Sequence, residues 1–446
     1  MAAEPAQALR RGEHGYEQAR RDSLWNALTP ERYPELIARP RNPDEVIAAV
    51  ALARAEGLTV TVCSGGHSWA GNHLRDGVLL IDLSRLDSAR VDPERESAVV
   101  GPGCHGTELL AGLARHGLFF PVGHCMGVAV GGYLLQGGYG WNGRVHGPAC
   151  MSVEAIDVVT AQGEVLRADG EHHSDLLWAA RGSGPGFFAA VTGFHLRLHP
   201  RPAVVANSLH TFPVDVLEDL FRWAAQIGPA VPRSIELMLL VHRDEAGELE
   251  IAMTAPVLAA DEEQARADLS VLHGCPLLAE AKLSVPYVAV SFEDLFAGSA
   301  AIYPGGHRWV ADNMWTHAPV EELLPGLRRI ADTLPPAPSH MLWMNWGPSP
   351  PRPEMAYSVE DDTYIALYGA GTERSTDAAV SAWATERMRE MEPLASGIQL
   401  ADENLGRRPA RFVSDERLGR LEQLRARYDP DGMFCSWMGR PGPAQT

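Results

Sequence analysis

The amino-acid sequence predicts an α+β protein built in two styles. Up to about residue 118, helical patterns alternate with short aliphatic strands, the signature of an α/β region with a partly buried sheet. Residues 119–147 then hold nine glycines with few charges and no 3.6-residue period. From about residue 205, strands of period two alternate with amphipathic helices, which predicts an antiparallel sheet backed by helices. At 446 residues the chain has length for two or three domains.

The elements follow in order. Asn42-Pro43-Asp44-Glu45 reads as a helix start, with Asn as N-cap, Pro at the first helical position and acids in the first turn. Apolar Val46, Ile47, Val50 and Ala53 continue it, and Gly57 ends it. Strands are predicted over 58–62, 78–83 and 98–100, and a helix over 107–116. The glycine-dense stretch carries Val, Leu, Tyr and Trp instead of the Ser and charge of a linker. It therefore reads as backbone packed closely against something flat and large. Residues 153–160, Gly163 and 165–166 form a predicted hairpin, and 191–198 another strand. His199-Pro200-Arg201-Pro202 then breaks the chain, and a domain boundary is placed there. In the second region strands are predicted over 235–241, 249–255, 340–346 and 363–369, with helices over 262–272 and 378–391. A charged helix over 415–428 closes the chain.

Composition narrows the function. Thirty-eight basic against 57 acidic residues give a net charge of −19, which argues against nucleic acid or an anionic membrane as partner. No apolar run approaches the roughly 18 residues of a membrane span. The first 21 residues mix Glu and Arg without the apolar centre of a secretory signal. Six scattered cysteines suit a reducing cytoplasm better than a disulfide framework. Lys282 is the only lysine in an Arg-, Ala- and Gly-rich chain, read as the codon bias of a GC-rich bacterial genome.

Several chemistries are set aside by their missing motifs. Gly101-Pro102-Gly103-Cys104-His105-Gly106 fits the dinucleotide pattern literally, but no acidic residue stands near the end of the next strand. A nicotinamide-dependent reductase is thus an alternative only. There is no G-x-S-x-G elbow, no H-E-x-x-H and no paired C-x-x-C; His124 and Cys125 beside His105 or His116 make a poor metal set, so no metal is expected. Two segments carry more. In Thr61-Val62-Cys63-Ser64-Gly65-Gly66-His67-Ser68-Trp69, a strand runs into Ser-Gly-Gly, whose amides suit an anion-binding nest with His67 at its end. The second runs from Gly123 through Cys125, Gly127, Val130, Gly131 and Gly132 to Gly137, Gly138, Gly140 and Trp141.

Together these segments resemble those of the berberine-bridge-enzyme-like flavoproteins, within the vanillyl-alcohol-oxidase superfamily with its PCMH-type FAD domain. Further matches are Trp178-Ala179-Ala180-Arg181-Gly182-Ser183-Gly184, the hairpin Val158-Val159-Thr160 with Gly163, and the tail Arg427-Tyr428-Asp429-Pro430. The resemblance spans nearly the whole chain. It implies a two-part FAD domain (1–204, core about 29–200, plus a returning segment 396–446) and a substrate domain (205–395). It further implies FAD bonded through its 8α-methyl to His67 and through carbon 6 to Cys125. Cofactor contacts are then expected from Cys63, Ser64, Gly65, Gly66, Ser68 and Trp69 around the histidine. Gly123, Gly127, Val130, Gly131, Gly132, Gly137, Gly138 and Trp141 serve around the cysteine, with Val158 and Gln399. Such attachment favours reduced flavin and permits an open site, while the protein supplies position and a base.

At the base the chain departs from the pattern. Where many relatives carry Y-x-N-Y or Y-x-N-F, this sequence reads Gly397-Ile398-Gln399-Leu400, and Leu400 cannot deprotonate a substrate. Tyr364 and Tyr368, four apart on a predicted strand, share one face and are the substitute catalytic candidates, as phenol or phenolate. Asn345, Trp343, Trp346 and Tyr357 are candidates for a planar-substrate pocket or for core. Asp402 and Glu403, which follow Leu400, are the remaining proton acceptors near the site, although two adjacent acids usually form a solvated turn. The expected reaction is hydride transfer from a carbon bearing an alcohol or amine of a secondary metabolite or heterocycle. The resemblance further implies dioxygen as acceptor, since family members with an open oxygen channel tend to carry a modest residue before the double glycine, as Val130 is here. A sugar or oligosaccharide oxidase and a catalytically dead flavin-binding protein are the remaining alternatives, and a cytoplasmic monomer or homodimer is expected.

Overall fold

The computed structural model describes residues 8–347 and 349–439; the first seven residues of the segment read for a secretory signal lie outside them. The predicted first helix is there as Pro43–Glu56. The Asn42 side chain accepts the Glu45 backbone N–H at 3.0 Å, and Gly57 ends the helix at φ 67°. Its buried Val46, Ala49, Val50 and Ala53 pack on a four-stranded sheet. In that sheet Leu36–Ala38 and Thr59–Cys63 flank Val78–Asp82 in parallel, and Ala8–Arg10 adds an antiparallel edge. Val78–Asp82 is buried throughout, as a strand covered on both faces must be.

The strand predicted near residue 98 joins a different sheet. Ser97–Val100 lies in a five-stranded antiparallel sheet of order Ala89–Asp92, Ser97–Val100, Ala189–Arg197, Val153–Thr160, Val165–Ala168, which contains the predicted hairpin. The second region is one seven-stranded antiparallel sheet. Its order is Leu283–Ala289, Val204–Pro213, Leu249–Ala259, Met238–Arg243, His340–Asn345, Thr363–Gly371, Arg308–Thr316. Four helices, Leu217–Ile227, Glu262–Leu269, Val320–Asp332 and Asp377–Met391, bury one face of it with Leu239, Val241, Ile365 and Leu367. The other face presents Tyr364, Ala366, Tyr368, Trp309 and Trp315 toward Trp25, Trp69 and Tyr139 of the N-terminal region.

The C-terminal helix runs Asp415–Tyr428 as predicted. Beyond it the chain returns to the first sheet: Val60 N–H donates to Met433 O at 2.7 Å, and Cys435 N–H to Val60 O at 2.8 Å. The site is therefore bounded below by the glycine-rich segments and above by the open face of the large sheet. Among the described residues no helix is long and apolar enough to cross a membrane.

Candidate active site

Strand Thr59–Cys63 delivers Ser64-Gly65-Gly66-His67 directly against the second glycine segment. A Cβ on Gly65 would stand 2.7 Å from the Ala129 Cβ, one on Gly66 (φ 67°) would strike Ser23 O, and one on Gly131 would strike Ser64 Oγ. Glycine is needed at these points because two backbones lie in contact. Above this double layer opens a cavity of about 800 Å³ whose wall carries His67 and Cys125 together. The His67 ring stacks on Trp25 at 4.9 Å, and its Nε2 is buried with no hydrogen-bond partner of proper geometry. Burial pushes the His67 pKa down to about 4, against a smaller upward pull from the Met126 backbone. Burial, aided by the charge of Asp402, pushes the Cys125 thiol up to about 12.

The same wall takes in Cys63, Ser64, Gly65, Gly66, Ser68 and Trp69 on the histidine side. Gly123, Gly131, Gly132 and Trp141 join it on the cysteine side, and Gln399 lies above. Five expected contacts lie off the wall. Val130 is buried at the start of helix Val130–Leu135, and Val158 sits inside the five-stranded sheet. Gly137 and Gly138, at φ 110° and 84°, make room for the rings of Tyr357 and Tyr133. Gly127, at φ 78°, turns the chain beside the His67 Nε2.

The opposite end of the cavity holds a carboxylate with three donors. Asp402 Oδ2 accepts from the hydroxyls of Tyr364 at 2.5 Å and Tyr368 at 2.8 Å, and Oδ1 accepts from Trp69 Nε1 at 2.6 Å. Tyr303 packs edge-on against Tyr368 at 5.0 Å, and His340 stacks on it at 4.9 Å. Burial raises the Asp402 pKa, opposed by its three hydrogen bonds, while burial and the Asp402 charge push both tyrosines well above 10. Both are therefore phenols at neutral pH. Phenolate, one of the two forms expected of them, does not form here.

The acidic pair 402–403 is no solvated turn. Glu403 is 3% exposed and accepts from Asn72 Nδ2 at 2.5 Å, and Asp402 faces the cavity. The position is fixed by Asn313, whose Nδ2 donates to Gln399 O at 3.0 Å and Asp402 O at 2.8 Å. The candidate planar pocket does not assemble. Asn345 donates to Gly228 O, Trp343 joins the helix-side core, and Trp346 and Tyr357 both donate to Glu360. His124, considered for metal, instead pairs through Nε2 with the buried Glu236 at 2.8 Å, and among the described residues no cluster could hold a metal ion. Gly101 and Gly103 pack on the backbone of Leu83, Ser84 and Leu86, so the literal dinucleotide pattern is spent on chain packing.

The residues present fit a flat, elongated cofactor: a glycine cradle without intruding side chains, an unpartnered buried imidazole nitrogen, and open space at the Gly132 Cβ position. Fold and cradle together define a two-domain flavoprotein. Comparison with known proteins agrees. The FAD binding domain family matches residues 34–169. The FAD-linked oxidoreductase janO of Penicillium janthinellum is 31% identical over 420 residues, covering 93% of each chain. Among solved structures, 6-hydroxy-D-nicotine oxidase from Arthrobacter nicotinovorans superposes with a TM-score of 0.86 at 21% identity, covering 98% of both chains. Berberine bridge enzyme from Eschscholzia californica gives 0.84 at 20%, covering 99% of this chain and 97% of its own. The chain belongs to the FAD-linked oxidoreductases and has the fold of berberine bridge enzyme.

Proposed function

We propose that this FAD-linked oxidoreductase is an oxidase that dehydrogenates a carbon bearing an alcohol or amine on a secondary metabolite or heterocycle. Its FAD is held covalently by His67 and Cys125, and dioxygen is the electron acceptor. The domain division proposed is 1–204 with 396–446 around FAD and 205–395 around the substrate. The observation that carries the reading is the pair of tyrosine hydroxyls on one Asp402 oxygen, in the wall of the cavity that also holds His67 and Cys125.

FAD, held by His67, Cys125 and the glycine cradle, would supply the two-electron acceptor for the substrate's hydride and the route of those electrons to dioxygen. The chain's own residues manage the proton. A substrate O–H or N–H donates to a tyrosine oxygen, whose own proton already points at Asp402. As the carbon loses hydride, the substrate proton passes to the tyrosine and the tyrosine proton to Asp402, which ends protonated. The raised Asp402 pKa makes it a better acceptor than a surface carboxylate. Asp402 thus supplies basicity and the tyrosines supply reach, an assignment that replaces the base missing at Leu400. Six free cysteines support a reducing, cytoplasmic setting.

The test is direct. Acid-precipitated protein should keep its yellow colour, His67→Ala and Cys125→Ala should each keep it, and the double variant should release FAD. Colour retained by the double variant, or lost by the unaltered protein, refutes the linkage. Anaerobic bleaching by a member of an alcohol and amine panel, followed by peroxide on aeration, tests the oxidase assignment.

A further inference from the structure

We infer that the substrate is lipophilic: an amine- or hydroxyl-bearing head reacts at the tyrosines, and an apolar body lies across the open face of the large sheet. The inference rests on the proposed function only for which end reacts. Its evidence is the rest of the cavity.

That cavity extends well past the tyrosines. Antiparallel register lines up Tyr364, Met344, Met238, Thr254 and Leu209 on five adjacent strands, and every one of them lies on its wall. Four inter-strand steps of about 4.8 Å carry this row roughly 19 Å from Tyr364. A second row, Leu342, Leu240 and Ala252, runs beside it. Strand alternation sends the intervening residues, such as Leu239 and Val241, into the helix-side core, so the whole cavity-facing set is fixed by pleat. Helix Phe292–Ile302 forms the roof with Leu295, Ala301 and Ile302. Leu209, Met238, Ala252 and Leu342 remain only half-buried, so apolar surface is left open to whatever enters.

On this floor the polar side chains Thr254 and Asn207 bond to each other. Thr254 donates to Asn207 Oδ1 at 3.1 Å, and Asn207 Oδ1 also accepts from the Ala255 backbone. At the rim His242 pairs with Glu250, and Arg243 donates to the carbonyls of Gly247 and Leu334. A sugar chain, with a hydroxyl on nearly every carbon, would leave those hydroxyls unpaired over methionine and leucine. An alkyl, prenyl-like or fused-ring body gains by the same contact. Met344 and Met238, flexible at three torsions, adapt to irregular shapes.

The holoenzyme tests this with para-alkylbenzyl alcohols and para-alkylbenzylamines carrying one to eight alkyl carbons. Their α,α-dimethyl analogues lack the C–H to be oxidised and report binding alone. Titrated against flavin absorbance, the dissociation constant should fall about threefold to fourfold per added methylene over the first several carbons. Met238→Thr and, as an independent variant, Leu342→Thr should flatten that dependence while leaving flavin content intact. A flat series, or a xylo-oligosaccharide that binds more tightly than the octyl probe, overturns the inference. Turnover separates it from the proposed function. Chain-length-dependent binding of the dimethyl analogues with no bleaching by any oxidisable probe refutes the oxidase and leaves the lipophilic site standing. Bleaching with a flat series does the reverse.

Discussion

A single carboxylate organises the reacting end of the cavity, and its worth can be measured by making it neutral. Asp402→Asn keeps the shape of the side chain but leaves Tyr364, Tyr368 and Trp69 donating to a weaker, uncharged acceptor. Loss of the proton acceptor should lower kcat about 10²–10⁴-fold, with flavin content unchanged; a variant within threefold of the parent would remove Asp402 from the mechanism. The pH profile follows by sign. Asp402 works ionised and its pKa is raised by burial, so kcat/KM should fall on the acid side, at a pH above that of an ordinary carboxylate. That limb should vanish in the Asn variant. The tyrosine pair was legible in the sequence because period two puts residues 364 and 368 on one face whatever surrounds them. Asp402 was legible only as one of two acids following Leu400: its donors come from 34, 38 and 333 residues away in the chain, and nothing local sets it apart from Glu403 or from a solvated turn. Leu400 marked the missing base, not its replacement.

At the scale of elements, glycine usage separates contact from simple looseness. Gly131 sits where a Cβ would collide with Ser64 Oγ and Pro102, whereas Gly112, inside helix Gly106–Ala114, has nothing nearer than Arg115 at 3.9 Å. Gly131→Ala should therefore cost about 1–3 kcal/mol by forcing the two loops apart, and should lower the flavin bound per chain. Gly112→Ala should gain roughly 0.5–1 kcal/mol from helix propensity. Denaturant titration of both, with flavin absorbance, checks the pair; equal effects would mean that the glycine stretch is merely flexible. Capped helices and aliphatic strands were readable because their signals are local: Asn42 with Gly57 bounds the first helix, and Asp415–Tyr428 falls where its charges place it. Strands Val204–Pro213, Leu283–Ala289 and Arg308–Thr316 escaped. The last carries Asp312 and Asn313, buried only because Arg408 and Asn404 reach Asp312 and the backbone at 399 and 402 engages Asn313. A strand whose polar residues are satisfied by distant partners shows no apolar alternation.

Across the whole molecule, buried neutral imidazoles set how the fold responds to acid. Besides His67, burial holds His73, His146 and His340 at pKa values of about 4, and His199 at about 3. They are scattered through the structure: His73 beside Ser23 in the N-terminal region, His340 over Tyr368, and His146 stacked on His199 at 3.9 Å. Each has a folded pKa below its unfolded value of about 6.5, so the unfolded chain binds more protons. Stability consequently rises with pH in this range and is lost as pH falls from about 6.5 toward the folded values. At about pH 5.5 each such histidine lowers the unfolding free energy by about 1.2 kcal/mol relative to neutral pH. Asp402 and Glu403 act in the opposite sense, since their raised pKa values let the folded chain take up protons first. Two carboxyls against five histidines leave a net loss. Thermal unfolding should show a midpoint that falls steeply between about pH 7 and 5, and His199→Gln should reduce the slope by close to one proton, because it removes one group that the unfolded chain protonates and the folded chain does not. A midpoint flat across that interval would mean that these rings are reached by water, and with it that the cavity walls which bury His340 and His73 are looser than a shaped substrate slot requires.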